Sequence, residues 1–214
     1  MLTNWLNQMV KSEPERSTEK KILEAARMVF FRKGYAGARM QDIADEAGIN
    51  KALLHYYFRN KETLFEMIFN DALGILAPRV SEILAGDIPL TEKIRSFSHA
   101  YVSMALENPF LPLFILNALH TDPQGFASRF EHLASKLPFP LLRKEIEKAV
   151  REGSIRPVDP QQLILNIMSL CLFPFVARPA FEIISRLNPD EYQLLLERRK
   201  TEVADFILAS LRIT

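Results

Sequence analysis

The sequence predicts an all-α protein, a small three-helix unit near the N-terminus followed by a larger helical region. Three observations carry that expectation. Apolar residues recur at i, i+3 and i+4 in one segment after another, the spacing of a single helix face. Asn, Pro and Gly punctuate these segments where helices start and stop. No run alternates at period two, so no sheet is expected. With 214 residues and 48% hydrophobic content, the chain can fill one large domain or two smaller ones.

The opening MLTNWLNQMVKSEPE lacks a basic leader, a continuous apolar core and a small-residue cleavage site, so it does not read as a signal peptide. Leu2, Trp5, Leu6, Met9 and Val10 share helical spacing. They read as a short helix or a frayed extension docked on the protein itself, since an interfacial membrane helix would carry more cations. The segment ILEAARMVFFRKGY follows as the first long helix.

Met40, Ile43, Ala44 and Ala47 then form one apolar stripe, which predicts a helix over about Met40 to Ala47. The small Ala44 and Ala47 let another helix cross closely. Gly48 stands where a helix end needs a left-handed residue. Ile49 can plug the corner, and Asn50 is a favoured N-cap for the next helix. In the run KALLHYYF, Leu54 and Phe58 point inward, with Leu53 or Tyr57 at the edge. Lys51, Ala52, His55 and Tyr56 face outward.

That outward face suits double-stranded DNA. Two helices joined by a tight glycine turn have the layout of a helix-turn-helix, whose second helix enters the major groove. Lys51 lies in the first turn, the end that approaches base edges. Ala52 lets the backbone come close and can meet a thymine methyl. His55, Tyr56 and Tyr57 offer donors and flat surfaces to phosphates and sugars. Lys61 follows the Asn60 cap of the next helix, where backbone amides and a positive dipole end suit a phosphate. Three helices of an ordinary bundle would share some of these features. The small-residue helix, Gly48, the Asn50 cap and the Lys/His/Tyr helix together favour DNA.

The region from Thr18 to Phe69 resembles the N-terminal domain of the tetracycline-repressor (TetR) family of bacterial transcriptional regulators. The resemblance rests on ILEAARMVFFRKGY, MQDIADEAGINKALLHYYF and NKETLFEMIF, roughly a quarter of the chain. It implies a two-domain, all-α homodimer whose variable C-terminal domain binds a small molecule that releases operator DNA. Where the family often caps the first motif helix with Thr or Ser, this chain has Ala38 followed by Arg39. A lost cap costs about 1 kcal/mol. Arg39 is expected to take over the phosphate contact of that hydroxyl. Gln41 stands where several members carry a residue that reaches the backbone or a base. The expected DNA-contacting set is Arg39, Gln41, Asn50, Lys51, Ala52, His55, Tyr56, Tyr57 and Lys61. The expected division is an N-terminal extension over 1–16, the helix-turn-helix domain over 17–64 and a ligand-binding and dimerisation domain over 65–214. About nine helices are expected in all.

Charge agrees with an operator-specific binder, though weakly. The net charge is only +1, but residues 1–65 hold 11 Lys/Arg against 8 Asp/Glu, and the remainder 16 against 18. Strong non-specific affinity would need more positive charge.

Beyond the motif, punctuation predicts a helix from Asn60 to about Ala85 with Pro78 inside, then one from Thr91 to about Glu107. Asn108-Pro109 begins another, to about Leu119, and Thr121-Asp122-Pro123 a short further segment. Pro138 and Pro140 introduce FPLLRKEIEKAVREG, which stops at Gly153. Asp159-Pro160 opens an apolar helix through Ala177, and Asn188-Pro189-Asp190 the last, ending near Leu211.

The run LILNIMSLCLFPF is apolar nearly all round, and the final helix has a broad apolar face that includes Tyr192, Leu196 and Leu211. A helix apolar on every side must be buried somewhere. The resemblance implies that these two helices pair with their copies. Leu163, Ile167, Leu170, Phe173, Leu195, Val203, Phe206 and Ile207 are the expected dimerisation residues. Two-fold pairing would supply two recognition helices to a palindromic operator.

An aromatic-rich stretch lies between the motif and these helices, including Phe110, Phe126, Phe130 and Phe139. Most of it is expected to be core. Phe97, Tyr101, Met104, Phe114, Asn117, His120 and Asn166 are the candidates for lining an apolar cavity with a few orienting polar groups. A matching effector would be hydrophobic, flat or amphipathic. The alternative is a dimeric DNA-binding protein without a small-molecule effector, controlled by a protein partner or by abundance.

No nucleophile elbow, P-loop or dinucleotide fingerprint is present, so an enzyme is not expected. His55, His99, His120 and His132 form no metal-ligand spacing, and no cofactor is expected. Cys171, the only cysteine, lies in an apolar run and reads as a small buried hydrophobe. The longest apolar run, Leu163 to Ala177, is about 15 residues and falls short of the roughly 20 a membrane span needs. A cytoplasmic protein is expected.

Overall fold

The computed structural model describes residues 13–109, 111–121, 123–134 and 137–212. The apolar stripe from Leu2 to Val10 and Phe110 lie outside the described residues, as do the side chains of Phe130 and His132. Eleven helices occupy the described residues, with no strand among them. They are α1 Glu13–Gly37, α2 Met40–Ala47, α3 Lys51–Tyr57, α4 Lys61–Ala85, α5 Leu90–Glu107, α6 Leu111–Thr121, α7 Pro123–Ala134, α8 Phe139–Arg151, α9 Pro160–Val176, α10 Arg178–Ser185 and α11 Pro189–Ser210. The all-α prediction holds. The count exceeds the expected nine, and α10 in particular was not anticipated. Pro179 sits in its first turn, where the missing N–H costs nothing, so it opens a helix in the stretch that the sequence reading left between Ala177 and Asn188. The chain bends by 76° between α9 and α10.

Two compact units divide the chain. One is Met1–Ala72 with Asn117–Pro123, and the other is Leu73–Leu116 with Gln124–Thr214. In the first, α1 packs against α2, and α2 against α3. Its core includes Ile22, Phe30, Ile43, Leu54, Leu64 and Ile68, each 1% exposed or less. In the second, α5 and α11 run along each other, and α9 packs against both. Val102, Ile146, Cys171 and Tyr192 lie at its centre with no exposed surface.

Proline and charge shape this second core in ways periodicity does not announce. Pro174 lies inside α9 and has no N–H for the carbonyl of Leu170 four residues earlier. Arg199 of α11 donates its Nη2 to that carbonyl at 2.7 Å. The Tyr192 hydroxyl donates to the Pro174 carbonyl, also at 2.7 Å. Lys93 is buried, yet its Nζ donates to the Leu84 carbonyl at 2.9 Å and pairs with Glu145 at 2.5 Å. A buried charge is tolerable when paired in this way. Cys171 is fully buried, and burial pushes its thiol up to about 11. Burial likewise pushes the Tyr101 phenol up to about 12.

The expected dimerisation residues separate by face. Leu163, Ile167, Val203 and Ile207 are buried in the chain's own core, and Leu170 and Leu195 are half-buried. Only Phe173 and Phe206 of that set are exposed, joined by Leu165 and Leu194. Four of the eight assignments therefore need correction. A helix that is apolar all round shows no polar face to mark its outside, so sequence alone could not say which side turns inward. Among the described residues no single helix is long and apolar enough to cross a membrane.

Candidate nucleic-acid interface

Helix α2 starts without a side-chain cap from Arg39, whose backbone is extended at φ −119° and ψ 150°. Asp42, the third residue of the helix, reaches back instead: its carboxylate accepts from the Arg39 backbone N–H at 3.0 Å, the reciprocal bond of a capping box. Lys33 of α1 pairs with the same carboxylate at 2.9 Å. The Lys33 hydrogen bond and the Arg39 amide hold the Asp42 carboxyl below its usual range. A second pair, Arg32 with Glu46, ties the far end of α2 to α1.

The turn after α2 follows the expected chemistry. Gly48 is left-handed at φ 65° and ψ 33°, a conformation that costs other residues a Cβ clash. Its N–H donates to the Asp45 carbonyl at 3.2 Å, and Ile49 donates to the Ala44 carbonyl at 3.0 Å. Asn50 is extended, and its side-chain oxygen accepts from the Leu53 N–H at 2.7 Å. Helix α3 runs over the expected residues, with Leu54 and the following Phe58 buried.

Lys51, Ala52, His55 and Tyr56 are all exposed, and Tyr57 is half-buried. Tyr56 is 74% exposed and meets Tyr57 edge-on at 5.3 Å between ring centres. The His55 Nδ1 lies 3.0 Å from the Arg59 carbonyl. A carbonyl only accepts, so Nδ1 is the donor and Nε2 is left to point elsewhere. Gln41 is exposed, and its amide donates to Asp45 at 2.7 Å. Among the described residues, Arg39 and Lys51 pair with no carboxylate. Arg59, which the sequence reading passed over, is also exposed and likewise unpaired. Its place beside the Asn60 cap was the signal available.

The Lys61 side chain is tied into the fold. Its Nζ donates to the carbonyls of Tyr35 at 2.8 Å and Ala38 at 3.1 Å, and lies 4.3 Å from the centre of the Tyr35 ring. Two of the three ammonium donors close carbonyls at the end of α1. Its position after a cap concealed this, because only the tertiary fold brings 35 and 38 beside 61. Tyr35 completes the latch by donating its hydroxyl to Glu62 at 2.7 Å, which holds that carboxyl below its usual range. At this junction Gly34 breaks α1 with φ 66° and ψ 173°.

The cavity-lining candidates are also redistributed. Phe97, Tyr101, Met104 and Phe114 are buried, while Asn166 and His120 are exposed. Asn117 and His120 belong to the first compact unit and the other five to the second. Burial of the four apolar candidates is what a packed core and the lining of a closed cavity both show.

The family model of bacterial regulatory proteins of the TetR family matches residues 22–68. The Probable HTH-type transcriptional regulator YttP of Bacillus subtilis (strain 168) is 40% identical over 198 residues, covering 86% of this chain and 91% of that protein. Among solved structures, the ketosteroid transcriptional regulator KstR2 of Mycobacterium tuberculosis superposes with a TM-score of 0.72 at 17% identity, over 92% of this chain and 95% of that one. The regulator FadR from Bacillus subtilis in complex with stearoyl-CoA superposes at 0.62 and 16% identity, over 90% and 99%. The extent of the YttP match and the family model across α2 and α3 settle the family. This chain belongs to the TetR family of bacterial transcriptional regulators, proteins that bind DNA through a helix-turn-helix and are not enzymes.

Proposed function

We propose that the protein is a homodimeric repressor that binds a palindromic operator and leaves it when a small apolar ligand binds the C-terminal region. The observation that carries the DNA half is the outer face of α3. Lys51, Ala52 and His55 lie on one side at i, i+1 and i+4, all exposed, over a helix anchored by buried Leu54. In this reading Lys51 and Ala52 meet base edges. His55, Tyr56 and Tyr57 meet phosphates and sugars, with Arg39, Gln41 and Arg59 on the flanking backbone. Asn50 contributes as the cap that sets the helix start.

Dimerisation is supported by the outward Leu165, Phe173, Leu194 and Phe206, which leave α9 and α11 apolar on the surface. The ligand half is supported by the stearoyl-CoA complex of FadR, a protein of similar fold. Helix α4 carries residues of both compact units and is the element that would pass a ligand's effect to the motif. A coupling of about 1–3 kcal/mol suffices for such a switch. Such a protein works in the cytoplasm, where the operator is. The burial of Phe97, Met104 and Phe114 favours a second reading, a DNA-binding dimer controlled without a small molecule.

Fluorescence anisotropy on DNA from upstream of its own gene, against a scrambled duplex, tests the first half. Lys51→Ala is expected to weaken operator binding by about 1–3 kcal/mol, and Tyr57→Phe by less, without unfolding the protein. Wild-type affinity in both variants refutes the interface.

A further inference from the structure

Between α9, α10 and α11 lies a cavity of about 440 Å³, inside the range of roughly 300–1,000 Å³ typical of small-molecule sites. Its walls are mostly apolar, with Leu170, Phe173 and Pro174 on one side and Phe181 and Leu195 on the other. Arg199 is the cation that lines it. One arm of that guanidinium is fixed, because Nη2 donates to the carbonyl that Pro174 leaves free. Its Nε is closed off from the cavity, but the guanidinium as a whole lines it and no carboxylate among the described residues pairs with it. A guanidinium that lines an apolar cavity with no carboxylate beside it is best matched by an anion on its accessible edge.

We propose that this cavity binds an amphipathic monocarboxylate, its carboxylate on Arg199 and its hydrocarbon tail against Phe173, Phe181 and Leu195. The site differs from the aromatic stretch around Phe97, and it names both a place and a ligand class for the effector, so its regulatory role rests on the repressor reading above. Phe173 stands at the rim and also belongs to the proposed dimer face. A ligand seated there lies where two protomers would meet and can alter how they pair.

The test is calorimetric titration of the full-length protein with sodium decanoate and, separately, with decanol. Decanoate is expected to bind once per protomer and at least tenfold more tightly than decanol. Arg199→Met is expected to abolish that preference while leaving decanol binding in place. Because Arg199 also holds the Leu170 carbonyl, Phe181→Trp, at a 40% exposed position, provides a second variant that narrows the cavity and should weaken both ligands. Absence of decanoate binding, equal binding of acid and alcohol, or an unchanged preference in Arg199→Met overturns the proposal. Operator anisotropy with decanoate present separates the two claims. Binding without loss of operator affinity leaves the site standing and removes its role as the effector site.

Discussion

Helices α2 and α3 present a polar surface, with Lys51, His55 and Tyr56 exposed over a buried Leu54. Helices α9 and α11 present an apolar one, with Phe173, Leu194 and Phe206 exposed by 61%, 63% and 66%. The first pair is complete in water, since its outward groups are solvated and wait for a charged partner. The second keeps hydrophobic area in water, which is costly until something covers it. One face is suited to reversible binding governed by charge and salt, the other to lasting association.

The largest test of this contrast is the paired change Phe173→Asp and Phe206→Asp. Placing carboxylates on the apolar face is expected to abolish the proposed dimer at micromolar concentration in sedimentation velocity, where the unchanged protein sediments as a dimer, and to leave a folded monomer. A dimer that persists would remove the contrast. Next is Leu54→Ala, which empties a fully buried site beneath the polar face. It should cost about 2–5 kcal/mol in denaturant unfolding and abolish operator binding with it.

Smaller effects sharpen the picture of α2 and α3. Asn50→Ala removes the bond accepted from Leu53 and should cost about 1 kcal/mol, read from the denaturation midpoint. The smallest concerns Asp42, whose folded pKa lies below the usual 3.8 because of Lys33 and the Arg39 amide. A depressed carboxylate adds stability above its unfolded pKa and loses it as pH falls through the folded one. Asp42→Asn should therefore flatten the acid side of a thermal-midpoint profile below about pH 4 and lower the midpoint slightly at neutral pH.

The turn from α2 to α3 was legible because its determinants are local. Gly48, Asn50 and the Leu54/Phe58 spacing act within a few residues of one another, so their geometry follows from chain order. The anchoring of the Lys61 side chain was not legible because the carbonyls it closes lie more than twenty residues away in sequence. Helix α10 was missed because a proline reads as a stop or a start depending on which turn it occupies. The aromatic candidates Phe97 and Phe114 are apolar and buried, and composition does not distinguish a filled interior from an empty one.

The sequence by itself determined the helical class, the caps and turn of the DNA-binding motif, and which residues of α3 face outward. Backbone propensity, capping and periodicity all act at short range, and together they fix these features without reference to the rest of the chain. The tertiary structure decided which side of α9 and α11 is inside, where the Lys61 ammonium ends up, and that Pro174 draws Arg199 against Leu170 beside a cavity. Those outcomes depend on which helices become neighbours, and neighbours are chosen by the packing of the whole molecule, not by any one segment.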